Sequence, residues 1–264
     1  MNIAIESSSL AKKLTGIGNY NYFLIKYLAE LDRKNEYYIF SYRTFELDYD
    51  LPDNFHLVKP RFRWFHSSLW LQMELPFLLK RYKIDLVHGT NFMLPLMSNV
   101  IGVVTVHDLS SFVYPENHTL MHNLSHKFIV PQSMKMAVSI IADSNFTKSE
   151  IERLFPNLAE KVHTIYLAAD PHFHPINDHG ILDMVKKRYS LPNDYILFVG
   201  TLEPRKNLLS LIKAFSLIKD KIVQKLVVVG GEGWKYSSVY ELVKSLGIVG
   251  DVHFCGYVRR EDLP

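Results

Sequence analysis

Tyr195-Ile196-Leu197-Phe198-Val199-Gly200-Thr201-Leu202-Glu203-Pro204-Arg205-Lys206-Asn207 sets a short apolar run against a glycine and a polar turn holding two adjacent cations. Leu208 to Ile218 then repeats its apolar residues at helical spacing. A continuous apolar run closed by glycine is a buried strand, and strand, turn and helix in that order form the repeating unit of a parallel sheet. The fold class is therefore α/β.

The same phrase recurs outward from this stretch. Further strands are expected at Asn2 to Glu6, Tyr37 to Ser41, Leu86 to His88, Gly102 to His107, Ser139 to Ala142 and Val162 to Tyr166, which together make one doubly wound sheet. Ile17, Tyr20, Phe23, Leu24, Tyr27, Leu28 and Leu31 place an apolar stripe on the helix after the first strand. Periodicity lapses between Leu167 and Ile181, where Pro171, Pro175, Asp178 and Gly180 fall, which suggests a linker over 171–180. It separates a first domain, 1–170, from a second, 181–264. In the second, helices at Ile181 to Tyr189 and Val239 to Leu246 and strands at Leu226 to Val229 and Val252 to Phe254 follow, with another helix starting near Glu261. Three strands leave such a sheet poorly covered, so this domain is expected to be incomplete.

Composition narrows the function. Lys plus Arg number 30 against 27 Asp plus Glu, a net charge of +3, which gives no electrostatic footprint for nucleic acid. The single cysteine, Cys255, excludes an internal disulfide and a thiolate zinc cluster and fits a reducing compartment. The start lacks the charged and long apolar regions of a signal peptide, and no segment has about 20 apolar residues for spanning a bilayer. The expected location is the cytoplasm, with contact at most on the inner face of the membrane.

Four places can carry chemistry. Gly16 and Gly18 open the first helix, where glycines and helix amides suit a phosphate or an acceptor, although Asn21 stands where a dinucleotide fingerprint has its third glycine. A plain strand-helix turn is the equal alternative. His107-Asp108 lies at a strand's carboxyl end, the rim where open α/β sheets bind ligands; the imidazole can donate to a hydroxyl or phosphate oxygen and the neighbouring carboxylate can orient it. Arg205 and Lys206 at a helix start suit a diphosphate, with Gly200, Thr201 and Glu203 beside them. Gly230-Gly231-Glu232-Gly233 can line a nucleotide or be a tight turn. Asp48-Tyr49-Asp50 has a spacing used by some metal-dependent transferases but lacks strand-end context, so no metal is expected. Arg61 through Trp70, including Arg63 and Trp64, mixes cations with aromatics that either bind a membrane interface or lipid-linked acceptor, or pack on the sheet.

Gly200 to Asn207, His107-Asp108 and Ala142-Asp143-Ser144-Asn145-Phe146-Thr147-Lys148 closely resemble the family 4 retaining glycosyltransferases along the whole chain. The resemblance implies a GT-B fold, two Rossmann-like doubly wound domains facing across a cleft, the first on the acceptor side and the second binding the nucleotide sugar. It implies that Arg205 and Lys206 hold the donor diphosphate in place of a metal, that His107 contacts the transferred sugar, and that Gly16 and Gly18 line the donor and acceptor side. Relatives with this Arg-Lys loop often use GDP-mannose, so the expected reaction moves a hexose to a glycan or lipid-linked acceptor of cell-envelope polysaccharide or O-antigen, with retention. No cofactor is expected.

Two departures qualify the likeness. Thr201 stands where many relatives have arginine, and the family's Glu-x7-Glu segment would lie past Pro264. The chain is thus read as C-terminally truncated. A binding remnant that holds acceptor without transfer is the alternative function, and a Rossmann dehydrogenase or epimerase is disfavoured by the incomplete glycine fingerprint.

Overall fold

The computed structural model describes residues 1–11, 14, 16–62, 66–234 and 236–264. The chain divides into two compact units, Met1–Leu167 and Ala168–Pro264.

In the first unit β1 (Asn2–Glu6) leads to α1 (Gly16–Leu31), β2 (Glu36–Phe40) and β3 (Phe55–Val58). Then come α2 (Ser67–Met73), α3 (Leu75–Arg81), β4 (Leu86–Gly89), β5 (Ile101–Val106), α4 (Ser110–Val113), α5 (Leu120–Met136), β6 (Ser139–Ala142), α6 (Asn145–Leu154) and β7 (Val162–Thr164). The seven strands are parallel in the order β3-β2-β1-β4-β5-β6-β7. Strand order reverses between β1 and β4, and in open α/β sheets that reversal opens a crevice beyond the strands' carboxyl ends.

Helices on both faces bury the sheet, which is why its strands read as apolar runs. One core gathers Trp70, Leu75, Leu79, Met134, Ile140 and Ile151. The other packs Ile25 of α1 on Ile5 and Ile39. Trp70 is fully buried, so of the two readings of the aromatic segment its last member takes the packing one. Arg63 and Trp64 lie outside the described residues.

The second unit contains α7 (His179–Arg188), β8 (Tyr195–Val199), α8 (Leu208–Ile218), β9 (Lys225–Val229), α9 (Ser237–Ser245) and β10 (Val252–Gly256), with a parallel sheet in the order β10-β9-β8. The expected helix near Glu261 is a single 3-10 turn, Arg260–Asp262. This turn is fastened to its own unit: Asp262 accepts from Arg188 and from the Tyr189 hydroxyl, both at 2.7 Å, and Arg260 pairs with Asp170. Asp170 and the opening of the segment read as a linker therefore belong to the second unit.

Candidate functional site

The carboxyl ends of β1, β4, β5 and β6 converge on a buried polar cluster. Thr90, just after β4, donates its hydroxyl to the carbonyl of Glu6 at the end of β1, 2.5 Å away. The Thr90 carbonyl in turn accepts from Nε2 of His107, just after β5, at 2.9 Å. Nδ1 of His107 meets Oδ2 of Asp143, just after β6, at 2.5 Å. Thr147 of α6 closes the set by donating to the His107 carbonyl at 3.1 Å.

This geometry fixes the ring's orientation. A carbonyl oxygen only accepts, so Nε2 is the donor to Thr90, and the Nδ1–carboxylate contact fixes the other side of the ring. Both ring nitrogens are engaged within the protein, so a ligand hydroxyl reaching Nε2 has to replace the Thr90 carbonyl. The other carboxylate oxygen, Asp143 Oδ1, is buried with no hydrogen-bond partner among the described residues, and an unsatisfied buried acceptor is the kind of group a ligand hydroxyl completes.

Beneath His107 lies a second polar line. Thr105 Oγ1 sits 2.8 Å from His88 Nε2 and 3.0 Å from the Tyr20 hydroxyl. Burial first, and the neighbouring His107 second, lower His88 to about 4, so it is neutral at physiological pH. Burial raises Tyr20 to about 12, against the lowering effect of its bond to Thr105, and keeps it a phenol. The Tyr20 ring stands edge-on to His107 with centroids 5.0 Å apart and Phe92 does the same at 5.5 Å, giving the imidazole aromatic walls.

The partner of His107 corrects the sequence reading. Asp108 points its Oδ1 at Ser110, accepting from the amide at 2.9 Å and the hydroxyl at 2.6 Å, in the turn that leads into α4. Asp143, absent from the sequence-based candidates, holds the imidazole. A signal for it existed: Val106 and Ala142 pair in register, so the residue after each reaches the same rim.

At the start of α1 the two glycines differ. A Cβ on Gly18 would lie 3.1 Å from Leu14 Cδ2 and 3.4 Å from the Ser9 carbonyl, whereas one on Gly16 would meet nothing within 4 Å. Gly18 thus allows the helix to approach the preceding chain, and only Gly16 is open. Asn21 is buried and donates to Ser9 Oγ at 2.5 Å, pinning the helix to that loop. Asp48 accepts from the Tyr22 hydroxyl at 2.5 Å, and no group of three or more His, Cys, Asp or Glu among the described residues is placed to hold a metal ion.

In the second unit the loops after β8 and β9 interlock through backbone. Gly200 N donates to the Val229 carbonyl at 2.8 Å and Leu202 N to the Gly231 carbonyl at 3.0 Å. Gly230 has φ +149°, and a Cβ there would lie 1.9 Å from the Gly200 carbonyl oxygen. Only glycine fits. A Cβ on Gly233 would come within 2.9 Å of Thr201 Cγ2, while Gly231 faces open space.

Arg205 and Lys206 occupy a 3-10 turn, Pro204–Lys206, and Asn207 in the left-handed region separates that turn from α8. The cations precede the helix instead of standing in its first turn. Arg205 is paired with Glu203 at 2.8 Å, which supplies a counter-charge from within the loop. Lys206 enters no ion pair among the described residues, and its stem passes 3.8 Å from the position of a Gly200 Cβ, over the end of β8.

Both units carry these polar groups at the ends of parallel strands. The fold is that of the GT-B glycosyltransferases: the crystal structure of WaaG, a glycosyltransferase involved in lipopolysaccharide biosynthesis, aligns with TM-score 0.69 at 13% identity over 99% of this chain and 71% of that one. Anabaena Alr3699/HepE in complex with UDP and glucose aligns with TM-score 0.65 at 16% identity over 98% of this chain and 70% of that one. Residues 14–173 match the family model Glycosyltransferase Family 4 and residues 183–264 match Glycosyl transferases group 1. The chain belongs to Glycosyltransferase Family 4. Among curated relatives, O-antigen chain mannosyltransferase B of Escherichia coli is 29% identical, across all of this chain and 73% of the relative.

Proposed function

We propose that this chain is part of a retaining mannosyltransferase that uses a nucleotide sugar, GDP-mannose, to extend an O-antigen or similar cell-envelope glycan on the cytoplasmic side. Likeness along the whole chain to an O-antigen chain mannosyltransferase supports the sugar and the product class, and a structural neighbour holding UDP and glucose supports the nucleotide sugar.

The observation that carries the reading is the loop after β8. Lys206 has a charge without a carboxylate partner among the described residues and its stem lies 3.8 Å from the Cβ position of Gly200, while Gly231 in the neighbouring loop faces open space. A diphosphate placed there receives a point charge from Lys206 and a planar fork from Arg205 once Glu203 shares it. Both cations stabilise the negative charge that builds on the leaving nucleotide, and this electrostatic work needs no metal. On the acceptor-side unit, Asp143 Oδ1 presents an acceptor to a sugar hydroxyl, and His107 Nε2 becomes a donor to one where the sugar replaces the Thr90 carbonyl. With no carboxylate positioned as a nucleophile among these residues, front-face attack with the leaving phosphate taking the acceptor proton accounts for retention.

Calorimetric titration of the chain with GDP-mannose and with UDP-glucose tests the reading, with Arg205→Ala/Lys206→Ala as control. Saturable binding of GDP-mannose that the double variant loses is the expected result. A folded chain that binds neither nucleotide sugar, or binds equally well without the two cations, overturns the assignment of the donor site.

A further inference from the structure

The carboxyl ends of β6 and β7 lie side by side, because Ala142 and Thr164 pair in register and Ile165 N donates to the Ala142 carbonyl at 2.9 Å. Just past the first of them, Asp143 Oδ1 is buried with no hydrogen-bond partner among the described residues. Both strand ends are followed by an aromatic ring turned out of the core. Phe146, in the first turn of α6, is 75% exposed, and Tyr166, two residues past β7, is 66% exposed. Neither ring stacks on another, and the Tyr166 hydroxyl makes no hydrogen bond, among the described residues. The α6 start is nonetheless anchored against the imidazole site: Thr147 N donates to Ser144 Oγ and Thr147 Oγ1 to the His107 carbonyl, both at 3.1 Å.

A lone exposed ring is ordinary on a protein surface. Two of them, following adjoining strand ends that also carry an unsatisfied buried acceptor, supply what a ligand site needs, apolar walls with a few placed polar groups. The charge nearby selects the ligand. Both cations of α6 are already paired, Lys148 with Glu152 at 3.7 Å and Arg153 with Glu150 at 2.8 Å, so the helix offers little to a phosphate. A neutral pyranose matches this surface, since its C–H groups can lie against aromatic rings while a hydroxyl donates to a carboxylate oxygen.

We infer that the β6–β7 rim binds a neutral pyranose ring of the acceptor glycan, with Asp143 Oδ1 accepting a hydroxyl and Phe146 and Tyr166 packing on the C–H faces. Its assignment to the acceptor rests on the function proposed above, in which the first unit is the acceptor side; the sugar site itself is measured without a nucleotide.

Saturation-transfer difference NMR of the 264-residue chain tests it, with methyl α-D-mannopyranoside and N-acetylglucosamine as probes and glycerol, a polyol without a ring, as control. Saturation of the ring C–H protons of at least one sugar, and none of glycerol, is expected. Phe146→Ala and Tyr166→Ala should each weaken that sugar's affinity by about 2–10-fold, while Phe146→Tyr and Tyr166→Phe keep it. Both rings are exposed, so all four variants should retain the parent's circular dichroism and unfolding midpoint. Calorimetry with GDP-mannose separates this site from the donor site: Phe146→Ala should leave its Kd unchanged. A sugar signal that depends on Phe146 in a chain that binds no GDP-mannose keeps the sugar site and removes only the donor site. No saturation of either sugar, saturation unchanged in folded Phe146→Ala or Tyr166→Ala, or a Phe146→Ala loss confined to GDP-mannose, overturns the inference. So does a self-associated form, detected by sedimentation, that Phe146→Ala dissolves, because the ring then belongs to a second copy.

Discussion

Asp143 holds the Nδ1 side of His107 from the adjoining strand end, 2.5 Å away, while the Thr90 carbonyl takes Nε2 from the other side. The imidazole is thereby fixed in orientation by two groups that sequence places 17 and 36 residues from it. Replacing the acid with its amide, Asp143→Asn, should loosen the hold on Nδ1. The Nδ1 ¹⁵N chemical shift of His107 reads this directly and should move in the variant. Loss of one charge-assisted bond of about 1.5–3 kcal/mol should lower the transfer rate by about 10–100-fold if it acts in the transition state. Unchanged ¹⁵N shifts would show that Asp143 does not hold the ring.

Acid should weaken the first unit through its buried histidines. His88 and His126 are each lowered from 6.5 to about 4, by burial first in both cases, with His107 adding to the effect at His88 and His122 at His126. The unfolded chain therefore binds more protons than the native one between these values, and stability rises with pH across that window. It is complete above about pH 6.5 and falls as pH drops toward 4, by up to about 3 kcal/mol for each ring. Urea unfolding at pH 7 and pH 4.5 measures the loss, and His88→Gln should remove its own share of the pH dependence.

Gly230→Ala should cost the second unit more than about 3 kcal/mol, because the new Cβ meets the Gly200 carbonyl in a backbone conformation that L-residues rarely adopt. Gly231→Ala, with open space at its Cβ position, serves as the control and should unfold at the parent's denaturant midpoint. Equal midpoints for the two variants would refute the interlocked loops.

Lys206→Ala should weaken nucleotide-diphosphate binding by about 1.5–3 kcal/mol, roughly 10–100-fold in Kd, without moving the unfolding midpoint. The residue is exposed and makes no ion pair among the described residues, so the fold does not depend on its charge. Calorimetry beside urea unfolding separates the two effects, and an unchanged Kd would remove Lys206 from the site.

Most of the parallel strands were legible because they are buried on both faces and read as apolar runs. β3 was not: Phe55 to Val58 lies between Pro52 and Pro60 at the sheet edge, with His56 and an exposed Leu57 breaking the run. The α2–α3 pair hid for the opposite reason, since apolar residues on both its faces erase the helical period. α5 is blurred likewise by exposed Leu120, Leu124 and Phe128, buried His126 and an internal Pro131. At the candidate site, sequence points to His107, Arg205 and Lys206 by their place after strands, but not to Thr90 or Asp143. Those two act through register between strands far apart in the chain, which single-residue patterns do not encode.

Thr90 touches more of the rim than its size suggests. Its hydroxyl is committed to β1 and its carbonyl to the imidazole after β5, which is in turn committed to the acid after β6, so four consecutive strand ends share one chain of bonds. Residues joined in this way do not respond independently. Thr90→Val and Asp143→Asn, each harmful alone, should together cost less than their sum, because the first already loosens the ring that the second would release. The rim consequently behaves as a set and not as single positions: the cost of a change at one strand end depends on what its neighbours have already become.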